Sequence, residues 1–417
     1  MLVRYLRRPI AIIGLFSVVV LLAMSSYLFD LDLTPYYDRK AYGQKVAQGD
    51  FIPDKQVDLS KGYSAEDPSR NEDAKNPLFD EKLEPDGGLS RLTETDKRVP
   101  ATLMSLVRNK EADDLMATIV QIESAFNNKF NYPWTFFNDE EFTEDFKTSA
   151  LAATGGNCTF VKIEPEDWME PSWIDVDKAR ELGIKMKNKD DVQYADLPSY
   201  HRMCRWNSGR FFMNPALDNY DYYWRVEPKT DFYCDIDYDI FAYMKENDKV
   251  YGFVINLYDS PQSIRTLWPT TKEFFEQNPE YLHPNNALQW VVNTGREGHT
   301  KKANGYSTCH FWSNFEIGSL EFFRSKPYQD YFDFLDKNGG FFYERWGDAP
   351  VHSLGLAMMA DKSKIHYFKD IGYQHFPYFN CPASPKCKGC DAGKFTGIDS
   401  LNTESCMSEW FKAAGTG

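Results

Sequence analysis

The sequence predicts an α/β domain with a parallel sheet at its N-terminal side, carried behind a membrane anchor and closed by a disulfide-stapled tail. Three observations lead there. Short β-like runs alternate with helix-length amphipathic stretches from Arg98 onward, twenty uncharged and mostly apolar residues stand near the start, and four of the eight cysteines fall after Asn380.

Residues 101–108 (ATLMSLVR) form the first β-like run. Residues 111–130 place Leu115, Met116, Ile119, Ile122 and Phe126 at the spacing of an amphipathic helix. Residues 133–137 predict a second strand, 141–153 a helix and 158–163 a third strand. Further on, residues 251–257 read as strand, 261–277 as helix and 315–323 as a buried segment. The Cys-, Gly- and Pro-rich stretch after Asn380 predicts a tail wrapped on the domain.

Residues 10–29 are long enough to cross about 30 Å of hydrocarbon as a helix. Arg4, Arg7 and Arg8 precede this stretch while Asp30 and Asp32 follow it, so the short N-terminal tail (1–9) is expected in the cytosol. A cleaved signal peptide would have a shorter apolar core and a small-x-small site. Residues 30–98 are rich in Asp, Lys, Pro, Gly and Ser and predict a flexible stem, because such composition buries too little surface to offset ordering entropy. Residues 99–417 are left for the folded domain. An even count of cysteines in a lumenal chain predicts disulfides; Cys387 and Cys390 have the spacing of half a zinc knuckle, but no second half accompanies them. Asn157-Cys158-Thr159 is the single N-glycosylation sequon. A net charge of −15 argues against nucleic-acid partners, and no Gly-x-Gly-x-x-Gly or phosphate-loop pattern supports a dinucleotide or nucleoside triphosphate site.

Chemistry concentrates in YYWRVEPKTDFYCDIDYD, residues 222–239. As a strand it puts Tyr222, Trp224 and Val226 on one face and Tyr223 and Arg225 on the other; Pro228, lacking an N–H, ends the ladder. Glu227 is then left at a strand end, where open α/β sheets place their ligands and where a carboxylate can hold a hard cation. Asp235, Asp237 and Asp239 compete for that cation, since Asp235-Ile236-Asp237 sets two carboxylates on one strand face. A solvated face or a surface ion pair explains each equally well. Glu316, inside SNFEIGSLEFF, is costly in apolar company unless it has a partner, such as Arg324 or Arg345, or a role beside an oxocarbenium-like sugar carbon. Asp348 in ERWGDAPVHS reads as a helix cap or a polar site group. His375 in GYQHFPYF reads as a core histidine or as a nitrogen ligand for a borderline ion.

With NPEYLHPNNALQW, YSTCHFWSNFEIGSLEFFRS, YERWGDAPVHSLGLAMM and FKDIGYQHFPYFNCP in order, residues 98–382 resemble the fungal Golgi α-1,2-mannosyltransferases, glycosyltransferase family 15. The resemblance implies a GT-A-like, Rossmann-type mixed sheet flanked by helices, GDP-mannose as donor, Mn²⁺ as cofactor and transfer with retention to mannosides of N- or O-linked glycoproteins. It implies Golgi residence as a type II membrane protein, with other Golgi mannosyltransferases as candidate partners. It makes Glu227 and His375 the metal candidates, Glu316 and Asp348 the catalytic ones, and Arg108, Tyr194, Tyr200 and Arg225 the donor-binding ones. Lys229 departs from the family's Glu-Pro-Asp and removes one acidic group near the metal. A mannosylphosphate transferase on the same fold and a non-catalytic mannan-binding subunit are the alternatives.

Overall fold

The computed structural model describes residues 98–415, so the expected anchor and nearly all of the expected stem lie outside the described residues. Among the described residues no helix is long and apolar enough to cross a membrane. The strands run β1 (Ala101–Leu106), β2 (Trp134–Asn138), β3 (Cys158–Lys162), β4 (Tyr222–Val226), β5 (Thr230–Phe232), β6 (Tyr251–Phe253), β7 (Asn256–Tyr258), β8 (Cys309–Phe311), β9 (Phe315–Ser319), β10 (Ile365–Tyr367), β11 (Tyr373–His375) and β12 (Tyr378–Asn380). Seven form one sheet in the order β10-β6-β9-β4-β1-β2-β3. All its neighbours are parallel except β9, which runs antiparallel to both β4 and β6.

Both faces of this sheet are covered, as parallel strands require. Met104, Tyr223 and Tyr251 point into one core; Leu103, Trp134, Trp224, Val226 and Ile317 point into the other. The predicted alternation of β4 therefore holds, with Tyr222, Trp224 and Val226 sharing one core. The first helix spans Ala112–Ile122 and continues through a π turn over Glu123–Asn127, burying Leu115, Ile119, Ile122 and Phe126. The next expected helix is Glu144–Ala153, capped by Thr143, whose hydroxyl accepts from the Phe146 amide at 3.2 Å.

Two expected boundaries fail. Residues 251–257 do not form one strand: β6 belongs to the large sheet, while β7 pairs with β8 outside it. The helix expected over 261–277 starts at Leu267, because the preceding turn is fixed by Ser260 and Ser263 contacts. The segment 315–323 divides into β9 and the helix Leu320–Arg324.

The tail is stapled as expected. Cys381 bonds Cys390, Cys387 reaches back to Cys234, and Cys406 bonds Cys309. Cys387 and Cys390 thus serve different bridges and form no zinc half-site. Cys158 and Cys204 remain thiols, so the even count did not mean complete pairing. The final helix, Met407–Ala414, drives Trp410 between Trp290 and Phe311, which makes the tail part of the core.

Candidate active site

The parallel strands β1, β2 and β4 end on the same edge of the sheet, and a cleft of about 270 Å³ opens there. Arg108, Glu111, Asn138, Tyr194, Tyr200 and Glu227 are among its walls. Arg108 follows β1, half exposed, and its guanidinium donates to both oxygens of Glu111 at 2.6 and 3.1 Å. Tyr194 has φ +61° and is 51% exposed, its ring stacked on Tyr200 with centroids 4.9 Å apart. The Arg345 guanidinium lies 5.7 Å from the Tyr200 ring centre, fixing the platform from below.

The floor is built around Arg225, which is buried on β4. Its Nε donates to Glu227 Oε1 at 2.7 Å, its Nη1 donates to Asp348 Oδ2 at 2.5 Å, and Glu316 Oε1 lies 3.9 Å away. Burial disfavours the charged guanidinium, but Glu227, Asp348 and Glu316 together outweigh it and hold its pKa well above the ordinary value. Burial pushes the Glu227 carboxyl up despite Arg225. At Asp348 burial is overcome by Arg225, His352 and the Ser313 hydroxyl, which donates at 2.7 Å, so its carboxyl stays below the usual range. Asp348 opens the helix Asp348–Met359, yet its side chain does not cap that helix; it faces Arg225 instead.

Glu316 differs from the expectation. It pairs in register with Arg225 across β9 and β4 and has no exposure. Oε1 accepts from Tyr223 at 3.1 Å; Oε2 accepts from Tyr251 at 3.0 Å and lies 2.9 Å from His352 Nδ1. Neither Arg324 nor Arg345 is its partner: Arg324 serves the Phe212 carbonyl and Arg345 serves Ser263 and Asp259. Glu316 is thus enclosed by Tyr223, Tyr251, His352 and Arg225, partners drawn from β4, β6 and the helix Asp348–Met359. A Cβ at Gly318 would come within 2.7 Å of the Tyr223 hydroxyl, so glycine there lets that hydroxyl reach Glu316. His352 was not anticipated; its signal was its place four residues after Asp348 in an otherwise apolar helix, which puts both on one face.

The small sheet β12-β11-β5 carries His375 at the end of β11. His375 pairs in register with Thr230, whose hydroxyl donates to the Glu227 carbonyl oxygen at 2.9 Å. Arg225 engages Oε1 of Glu227 only. A carboxylate oxygen with an imidazole nitrogen suits Mn²⁺ among divalent ions, so the residues fit the group the resemblance implies. Among the described residues no three His, Cys, Asp or Glu side chains cluster for a metal. The competing acids are occupied elsewhere: Asp235 by Lys129, Asp237 by Lys386 at 2.8 Å, and Asp239 by capping the helix Ile240–Glu246 while accepting from Tyr132. Lys229, at φ +64°, turns outward to Asp114 at 3.4 Å. Asn157 is exposed in the turn before β3.

The sequence profile of a family described as glycolipid 2-alpha-mannosyltransferase matches residues 58–415. The chain is 47% identical over 323 residues to the probable mannosyltransferase KTR4 of Saccharomyces cerevisiae, covering 76% of this chain and 69% of that one. It is 45% identical over 318 residues to the O-glycoside alpha-1,2-mannosyltransferase omh1 of Schizosaccharomyces pombe, covering 76% and 79%. Among solved structures, core-mannan synthase A of Aspergillus fumigatus in its Mn/GDP form superposes with a TM-score of 0.79 at 50% identity, over 82% of this chain and 94% of that one. Ktr4p of S. cerevisiae in complex with GDP gives 0.75 at 41% identity, over 91% and 98%.

Proposed function

The chain belongs to the glycolipid 2-alpha-mannosyltransferase family, glycosyltransferase family 15, and on that premise we propose that it moves mannose from GDP-mannose in α-1,2 linkage onto α-mannosides of N- or O-linked glycoprotein glycans. It is a mannosyltransferase with a mixed α/β glycosyltransferase fold. The observation that carries the donor assignment is Glu227, held by Arg225 at the end of β4 in the same cleft as Arg108, Tyr194 and Tyr200.

The sheet order with its one reversed strand supports the GT-A-like reading. Glu227 and His375 would hold Mn²⁺, which when bound supplies Lewis-acid charge to the leaving diphosphate. The rest falls to the chain's own groups. Arg108 meets phosphate oxygens at the rim, exchanging Glu111 for them. Tyr194 and Tyr200 offer the flat surface on which a base stacks. Asp348, kept ionised by Arg225 and Ser313, presents negative charge to the sugar, where positive charge develops as the glycosidic bond breaks. Glu316 fixes Arg225 from beneath. Residence as a Golgi type II membrane protein, glycosylation at Asn157 and assembly with other mannosyltransferases belong to the same reading.

Full-length protein in detergent, incubated with GDP-mannose, Mn²⁺ and methyl α-mannoside, is expected to add one hexose in α-1,2 linkage, and to stop doing so with EDTA or in Glu227→Gln. A phosphate-bearing product would instead establish mannosylphosphate transfer. No turnover across several mannosides would support the binding-subunit alternative.

A further inference from the structure

A second cavity, of about 390 Å³, lies outside the donor cleft, between the first helix, the exit of β5 and the stapled tail. Gln121 ties its walls together: Nε2 donates to Asp231 Oδ1 at 3.0 Å, and Oε1 accepts from the Phe232 amide at 2.9 Å. The Cys234–Cys387 bridge fixes the tail to the same wall. Here the first helix widens into its π turn, which sets Ser124 on the rim, and such turns are frequent at functional sites. Phe232 and Tyr233 give the interior apolar surface, while Asp235, Lys386 and Lys388 give the rim charges of both signs. Lys386 takes both oxygens of Asp237 at 2.8 and 2.9 Å, and Lys129 takes Asp235 Oδ1. Asp235 Oδ2, the Ser124 hydroxyl and the Lys388 ammonium meet no partner among the described residues.

We propose that this cavity is a second mannoside site, which holds units of the acceptor glycan remote from the one being extended. This rests on the transferase reading above and deepens it. A bound ion of either sign would call for a rim of one opposite sign. Asp235 and Lys388 together suit a neutral polyol instead, whose hydroxyls donate to a carboxylate and accept from an ammonium. The C–H face of a pyranose packs on ring surface such as Phe232 and Tyr233 provide, and a few placed polar groups around apolar walls are the usual make-up of a small-molecule site. The cavity also lies within reach of the cleft. β5 starts at Thr230, whose hydroxyl donates to the Glu227 carbonyl oxygen, and Cys234 stands four residues further on, at most about 14 Å away by the reach of extended chain. A short oligomannoside is long enough to touch both, and binding at two points raises affinity through effective concentration.

The test compares α-1,2-linked mannotetraose with methyl α-mannoside as acceptors, on the full-length chain in detergent with GDP-mannose and Mn²⁺. Wild type is expected to show a KM for the tetraose at least about 10-fold below that for the monosaccharide. Ser124→Trp, at an exposed position from which the indole fills the cavity, should shrink that gap to within about twofold, with kcat and the KM for methyl α-mannoside unchanged. Lys388→Ala, which truncates an exposed side chain, should shrink it roughly threefold to tenfold. A gap absent in wild type, or unchanged in both variants, overturns the inference and leaves the transferase reading standing. A parallel rise of both KM values also overturns it, since that reports a distorted cleft. Should wild type transfer to neither acceptor, the transferase reading falls, and calorimetry with mannotetraose alone decides the site. Binding weakened at least about 10-fold in Ser124→Trp then supports it, and equal binding overturns it.

Discussion

Arg205 and Arg225 are both buried guanidinium groups, and their surroundings show how a structural ion pair differs from a working one. Arg205 meets one carboxylate, Asp336, through Nε at 2.7 Å and Nη2 at 2.9 Å, and its Nη1 donates to the Asp167 carbonyl at 3.1 Å. One charge cancels one charge, away from the cleft. Arg225 stands among three carboxylates, Glu227, Asp348 and Glu316, with His352 behind the last of them. Burying charges costs several kcal/mol per ion even when they are paired, so an unmatched excess is harder to keep than a matched pair. A surplus of carboxylate at a cleft suits a site that receives positive charge, whether from a bound cation or from a sugar carbon losing its leaving group. Balance marks a pair kept for the fold, and imbalance marks one kept for chemistry.

Breaking the two sites should give opposite profiles. Arg225→Met removes the group that separates the three carboxylates and orients Glu227, and transfer should fall by at least about 10³-fold. Retained turnover in a steady-state assay would refute the contrast. Arg205→Met leaves Asp336 buried without its partner and should lower stability by about 3–5 kcal/mol, read from the urea midpoint, with kcat of the folded fraction unchanged. Adding Asp336→Leu should recover most of that loss, because replacing both charges is tolerated far better than removing one.

A third region, the tail, sharpens the same comparison from the side of pure stability. The Cys309–Cys406 bridge closes a loop of 97 residues. Cys406→Ser opens that loop and should cost up to about 4–5 kcal/mol on the chain-entropy account, in which the bridge acts by restricting the unfolded chain. Thermal melting with and without reductant would show it: reductant should lower the wild-type midpoint further than that of the variant.

The smallest expected effect is a pH dependence. Both ring nitrogens of His352 face acceptors, Glu316 Oε2 at 2.9 Å and the Asn207 carbonyl at 2.9 Å, so the site favours the imidazolium. Burial opposes that charge, but Glu316 prevails and the pKa is raised. Stability from a raised histidine is fully present below its unfolded value of about 6.5, and is lost as pH rises through the folded value. Urea midpoints should therefore decline from neutral pH upward in wild type, and less steeply in His352→Gln. Equal slopes would remove His352 from the charged group.

Much of this was legible in the chain. The alternation of Tyr222 to Val226 and the stop at Pro228 located Glu227 at a strand end before any fold was known, because strand periodicity and the missing proline N–H are local properties. The resemblance chose Glu227 over Asp235 and Asp237, and the structure supplies the reason: Lys129 and Lys386 neutralise the latter two. Glu316 stands out in the sequence as a carboxylate among apolar residues, but the sequence points to the wrong partners. Arg324 and Arg345 are nearer along the chain than any of the true ones, whereas Tyr223, Arg225, Tyr251 and His352 come from three other elements. The break between β6 and β7 is hidden because an apolar run does not say which sheet each half joins.

The sequence by itself determined the α/β alternation, the two faces of β4, the cysteine-rich tail and the strand-end position of Glu227. These depend on periods of two and of 3.6 residues and on the chemistry of proline and cysteine. Only the tertiary structure decided which side chains share a site. It set β9 antiparallel beside β4, so that Glu316 lies opposite Arg225, and it folded β11 onto β5, so that His375 comes beside Thr230. It also turned Asn138 and Trp168, thirty residues apart in the chain, toward one cleft. Long-range pairing is selected by the packing of whole faces, and no local pattern in the chain records that choice.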